Sequence, residues 1–130
     1  MNFTIRNENS FIEFRNDKFY EDSQDFEFCV DAKCGNFVIE NKIVWAHKNE
    51  LLNFYKQLQD CYNKLKGEVE SEFEYDEEMK VKLSFNNLGQ VDVECDFFEY
   101  SEYQQKCHIE FGTDQTFILQ TLNELKEILK

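Results

Sequence analysis

The sequence predicts an α+β domain: a mostly antiparallel sheet, made of N-terminal strands plus a four-strand run, with two amphipathic helices packed on one face. Three observations carry this prediction. From Glu68 to Phe111 apolar residues alternate with charged ones, the pattern of strands buried on one side and wet on the other. Two stretches, Lys48–Lys66 and the segment after Asp114, carry apolar residues at three- and four-residue spacings, the stripe of a helix. The chain has no proline and four glycines, so its 130 residues read as one compact domain, 1–130, without linkers or an internal repeat.

In chain order, Phe3 and Ile5, then Phe11, Ile12 and Phe14, suggest short strands, and Tyr20 to Gln24 reads as a polar loop. Phe26, Phe28, Val30 and Ala32 alternate with Glu27, Cys29 and Asp31, a strand that ends in the turn Cys34-Gly35-Asn36. The return strand starts at Phe37, breaks near Glu40-Asn41-Lys42 and resumes through Ile43, Val44 and Trp45. The first helix carries the stripe Leu51, Tyr55, Leu58, Tyr62 and Leu65. Lys64 and Lys66 suit its negative end, and Gly67 stops it. Trp45 is placed to anchor on this helix and His47 to sit exposed at its start.

The four-strand run follows. Val69, Ser71, Phe73 and Tyr75 face one way; so do Met79, Val81, Leu83 and Phe85, and Val91, Val93, Cys95 and Phe97. A slip of one residue would turn every apolar side chain into water, so the register is derivable. It sets Phe85 opposite Val91 and leaves Asn87-Leu88-Gly89 as a three-residue loop, with Gly89 at its left-handed position. The same reasoning makes Asp76-Glu77-Glu78 the preceding loop and places Lys80 between Glu74 and Asp96, and Lys82 between Glu72 and Glu94. A fourth strand, about Gln104 to Phe111, turns Cys107, Ile109 and Phe111 inward. Phe97 to Tyr103 reads as an aromatic-rich connection. The closing helix is capped by Thr113 or Asp114, and Ile118, Leu122, Leu125 and Leu129 form its stripe, widened by Phe117 and Ile128.

Net charge is −13 and unevenly spread, at −2 over residues 1–66 and −11 over residues 67–130. Such a field repels nucleic acid and anionic membranes and favours a basic protein partner, with fast, salt-sensitive association. There is neither a basic leader nor a long apolar run, so the expected location is the cytoplasm. The five cysteines are an odd number without CxxC spacing, and Cys107 and His108 point to opposite faces of a strand. No metal site or cofactor is expected. With two histidines, no phosphate loop, no GxSxG and no HExxH, no catalytic residue is expected either.

Two lysines on the middle strand account for Glu72, Glu74, Glu94 and Asp96 as cross-strand pairs. The surplus carboxylates Glu68, Glu70, Asp76, Glu77 and Glu78 are the candidate partner surface. Phe98, Glu99 and Tyr100 join them, because Phe98 and Tyr100 have the wrong parity for the core and aromatics beside carboxylates suit a protein contact. A bulge folding these rings over the sheet edge is the alternative. For the whole chain the other readings are a cytosolic adaptor or regulatory domain, whose acidity serves solubility, and a small-ligand domain built around Trp45.

Several local strings resemble small bacterial immunity proteins of polymorphic toxin systems, of the WapI type. They are Leu65-Lys66-Gly67-Glu68-Val69-Glu70, Met79 to Phe85, Asn86-Asn87-Leu88-Gly89 with Gln90-Val91-Asp92-Val93, and Phe111-Gly112-Thr113-Asp114-Gln115-Thr116. The resemblance covers roughly residues 25–129. It implies a cytoplasmic antidote that binds a cognate toxin domain, many of which are basic nucleases, and blocks its active site. It carries over no binding residues.

Overall fold

The computed structural model describes residues 1–73, 79–100 and 102–130. Four strands come first: β1 (Asn2–Arg6), β2 (Phe11–Tyr20), β3 (Asp25–Cys34) and β4 (Phe37–His47). Helix α1 (Lys48–Lys64) leads to β5 (Gly67–Ser71), β6 (Met79–Phe85), β7 (Gln90–Tyr100) and β8 (Gln104–Asp114), and α2 (Gln115–Ile128) closes the chain. All pairings are antiparallel. The α+β class is as expected, but the strands divide into two sheets, β1-β2-β3-β4 and β5-β6-β7-β8. One hydrophobic core draws on the inner faces of both sheets and on both helices.

The period-two alternation does what it predicts. In β6 the buried residues are Met79, Val81, Leu83 and Phe85, and in β7 they are Val91, Val93, Cys95 and Phe97. Phe85 opposes Val91, and the loop Asn87-Leu88-Gly89 closes with Gly89 at φ +79°. Gly89 also lies against α2, where a Cβ would come 3.1 Å from Gln115 Cδ.

Several expectations need correction. Strand β4 is continuous; the break near Asn41 is a β-bulge, where Asn41 takes φ +56° and its N–H donates to Asp31 Oδ1 at 2.8 Å. The buried stripe of α1 is Leu51, Phe54, Leu58 and Cys61, while Tyr55 and Tyr62 are only half-buried, because the helix is wedged between β5 and α2. Its cap is His47, whose Nδ1 accepts from Asn49 N–H while Glu50 reaches back to the His47 N–H, a capping box; the ring is half-buried rather than exposed. Trp45 shares the outward parity of β4 and stacks on Tyr20 at 5.3 Å, not on the helix. Strand β7 runs on to Tyr100 and β8 to Asp114, so Phe98, Glu99 and Tyr100 are strand residues, paired with Lys106, Gln105 and Gln104.

The register between β5 and β6 differs by two residues from the one derived. Glu70, not Glu72, opposes Lys82. A two-residue shift leaves the side chains of β5 and β6 on their predicted faces, which is why alternation could not detect it. Its cause is Phe73. At φ +43° this residue leaves the strand direction and inserts its ring between Phe14 (5.5 Å) and Phe54 (6.4 Å), so β5 ends at Ser71.

A repeat is present that residue identity hides. Strands β4 and β8 are equal in length and correspond end to end, Phe37 to Gln104 and His47 to Asp114. The helices then begin in step, Lys48 with Gln115. Their buried positions keep that step: Leu51 and Ile118, Phe54 and Thr121, Leu58 and Leu125, Cys61 and Ile128. The molecule is a ββββα unit used twice. Each helix packs on the first strand of the other unit, α1 on β5 and α2 on β1.

Candidate protein-interaction surface

The outer face of the second sheet is where the charge concentrates. Strand β6 supplies Lys80 and Lys82, and its two neighbours supply carboxylates on the same face. Lys80 Nζ lies 2.7 Å from Glu70 and 3.8 Å from Glu72, and Lys82 Nζ lies 3.6 Å from Glu68. The Lys80 ammonium holds the Glu70 carboxyl below its usual range, and Glu70 raises Lys80 in return. On the far side Lys80 opposes Asp96 and Lys82 opposes Glu94. The lysines thus bind acidic strands together, as the alternation implies, with the diagonal partners set by the shifted register.

Beyond them, β8 adds His108 and Glu110. Glu110 directly opposes Glu94, a like-charge pair that costs stability unless a cation is near. His108 supplies it: Nδ1 is 2.5 Å from Asp96 Oδ1 and Nε2 is 2.8 Å from Glu110 Oε1. Its pKa is raised, first by Glu110 and then by Asp96, and Glu110 is lowered, first by His108. Among the described residues, Glu94, His108 and Glu110 also bring potential ligand atoms within 4.8 Å of one another, though both imidazole nitrogens already hold carboxylates. Glu70, Lys80, Lys82, Glu94, Asp96 and His108 line a shallow depression of about 380 Å³. This is a charged, partly exposed sheet face.

The predicted site residues do not all meet. Glu68 and Glu70 lie on this face at the β5 side. Phe98 and Tyr100 share the face at the end of β7, their rings 6.3 Å apart, with Lys106 Nζ 5.7 Å from the Phe98 ring centroid; Phe98 is half-buried and Tyr100 is 50% exposed. Glu99 has the opposite parity and turns towards the first sheet, where it accepts from the buried Lys42 at 2.9 Å. Asp76, Glu77 and Glu78 lie outside the described residues, as does Glu74. His108 and Glu110 belong to this face although the sequence does not single them out. Their outward parity is legible, but a histidine between two acids on neighbouring strands needs the β7–β8 register to be seen.

The fold and this face define an α+β domain whose exposed chemistry is an ion-paired, predominantly acidic sheet surface. The chain belongs to the WapI-like immunity protein family: the family model, described as "Immunity protein WapI-like family", matches residues 3–130. The match takes in β1 and β2, which lie ahead of every local string that carries the sequence resemblance. No curated protein matches the chain. Among the described residues no helix is long and apolar enough to cross a membrane.

Proposed function

We propose that this protein is a non-catalytic cytoplasmic antidote that binds a cognate toxin domain and neutralises it, and that the acidic outer face of the β5–β8 sheet is the surface that meets it. The carrying observation is the run of Glu68, Glu70, Glu94, Asp96 and Glu110 on one exposed sheet face of a chain with net charge −13. A basic toxin domain, such as a nuclease whose phosphate-binding surface is cationic, is the complementary partner; nucleic acid and membranes are repelled by the same field. Phe98 and Tyr100 supply apolar area at the end of this face, and Asp76, Glu77 and Glu78 continue its acidity along the sequence.

Affinity capture from a lysate of the source organism, at low and moderate salt, identifies the partner. With that partner in hand, the double variant Glu68→Lys, Glu70→Lys is compared with the parent. The expected result is association slowed by roughly tenfold or more, with a weaker salt dependence, and loss of protection in cells that express the toxin. Unchanged association would move the interface elsewhere on the molecule. Capture of a resident cytosolic assembly, with no toxin, would favour an adaptor.

A further inference from the structure

The two sheets end in four edge strands, β1, β4, β5 and β8, and β8 is treated differently from the rest. At β1, side chains of α2 satisfy the edge: Thr121 Oγ1 donates to Thr4 O at 2.6 Å, and Glu124 Oε1 accepts from Thr4 N–H at 3.1 Å. Strand β5 has only five residues and lies against α1. Strand β4 is interrupted by the bulge at Asn41 and turns Lys42 inward, two devices that discourage a further strand. Strand β8 has neither device, and its eleven residues pair with β7 without a register shift. Which way its backbone groups point follows from the β6–β7 turn. Asn86 N–H donates to Gln90 O at 3.1 Å, so the even-numbered residues of β7 bond to β6. The odd-numbered Val93, Cys95 and Phe97 then bond to β8, at Phe111, Ile109 and Cys107. Lys106, His108, Glu110 and Gly112 therefore direct their N–H and C=O groups away from β7. The first unit takes two of these carbonyls: Glu110 O accepts from Cys34 Sγ at 3.2 Å, and Gly112 O from Asn7 Nδ2 at 2.8 Å. Among the described residues, nothing hydrogen-bonds the backbone of Lys106 or His108 on that side. Beside Lys106 lies a groove of about 330 Å³, lined by the apolar Ile39, Phe97 and Cys107, with β4 from Val38 to Lys42 as its far bank.

We propose that the open half of the β8 edge takes an extended segment of the protein partner, added to the sheet as a further strand. The inference rests on the antidote reading and adds to it the manner of attachment. Lys106 and His108 each offer one backbone donor and one acceptor, two residues apart, the repeat that an extended chain matches. A second copy of this chain does not fit. Two copies about a twofold axis run β8 antiparallel to β8, and their bonded partners are both even-numbered. A register within Gln104–His108 that uses both residues sets Lys106 against Lys106 or His108 of the other copy, cation against cation. A longer register needs Glu110, whose carbonyl Cys34 already holds, and each copy brings a net charge of −13. A partner strand meets neither obstacle. Its alternate residues turn towards Ile39, Phe97 and Cys107, where apolar side chains fit. The others stand on the outer face opposite Lys106 and His108, where hydroxyl or acidic residues fit. The added strand thus continues the same outer face that carries the acidic surface.

The test uses the intact chain and a capped peptide of alternating valine and threonine, with a fully N-methylated copy as control, followed by amide NMR and hydrogen exchange. In the free protein the Lys106 and His108 amides should exchange roughly a hundredfold faster than those of Cys107 and Ile109. The peptide should shift the Lys106 and His108 amides saturably and slow their exchange roughly tenfold, and the N-methylated copy should do neither. Lys106→Pro removes an edge donor without breaking a β7–β8 bond, so the fold should stay and the response vanish, whereas Lys106→Ala keeps both. Slow exchange at Lys106 and His108 that depends on protein concentration would place a second copy on the edge and overturn the proposal. So would an equal response to the N-methylated copy, a response lost equally in Lys106→Ala, or no response up to the solubility of the peptide. None of these outcomes touches the antidote reading, which protection against the captured toxin decides separately.

Discussion

At the scale of single residues, His108 is the group whose chemistry the surroundings change most plainly. Both ring nitrogens can donate only in the imidazolium form, and both face carboxylate oxygens, of Glu110 and Asp96. The folded protein therefore holds the proton more tightly than the unfolded chain. The contribution to stability is complete below the unfolded value, about pH 6.5, and is lost as pH rises through the higher folded value. Titration of the imidazole C–H resonances should give a midpoint above about 6.5. Glu110→Gln should bring that midpoint down and flatten the fall in melting temperature as pH rises above about 6.5. A midpoint at or below the ordinary histidine value would mean that the two contacts do not persist in solution. Parity alone places His108, Glu110 and Asp96 on one face; nothing short of the register places an imidazole between the acids.

At the scale of elements, the helices are held by their ends and by one polar contact that each unit treats differently. Asp114 caps α2, with Oδ1 accepting from Thr116 and Phe117 N–H, as its position before the apolar stripe predicts. Thr121 is a polar residue at a fully buried position of the stripe, where periodicity expects an apolar one. Its hydroxyl is there to satisfy the Thr4 carbonyl on the β1 edge. Thr121→Val keeps the shape and removes the donor, so it should cost about 1–3 kcal/mol by urea unfolding. Asp114→Ala should cost about 1 kcal/mol. If Thr121→Val were neutral, the edge carbonyl would have to find water, and the helix would be held by apolar packing alone. The elements themselves are legible because burial on one face imposes a period on the residues. What is not legible shares one cause: Phe73 leaving β5, the bulge at Asn41 and the rotated stripe of α1 all answer to contacts with distant parts of the chain. A two-residue register shift preserves alternation, so alternation is silent about it. A bulge looks, in the sequence, like the end of a strand.

At the scale of the whole molecule, the repeat makes each unit a control for the other, and one difference lies at the seam between the sheets. Lys42 on β4 corresponds to Ile109 on β8, since they oppose the matched inward residues Val30 and Cys95. Counting inward residues onward from Val30 and from Cys95 brings Cys34 into step with Glu99. Ile109 is buried, and Cys34 packs against the core with its Sγ 3.2 Å from the carbonyl oxygen of Glu110, the neighbour of Ile109. Lys42 is as buried as Ile109, its side chain 6% exposed, and forms an ion pair with Glu99, whose side chain is 70% exposed. A buried ammonium is costly when its carboxylate is removed, whereas replacing both partners by apolar groups can be neutral or stabilising. Glu99→Ala alone should therefore lose about 1–3 kcal/mol in urea unfolding, less than a fully buried pair would, because Glu99 is largely exposed and Lys42 keeps its other contacts. The double variant Lys42→Ile, Glu99→Ala makes this seam apolar like the other and should regain most of that loss. If the double variant were less stable than Glu99→Ala alone, Lys42 would owe its place to its stem packing and its other contacts, and the two seams would not be interchangeable. If it recovers, the polar seam is not required by the fold, and its retention on the side where β7 presents Phe98 and Tyr100 would point to a role in holding that strand end for a partner.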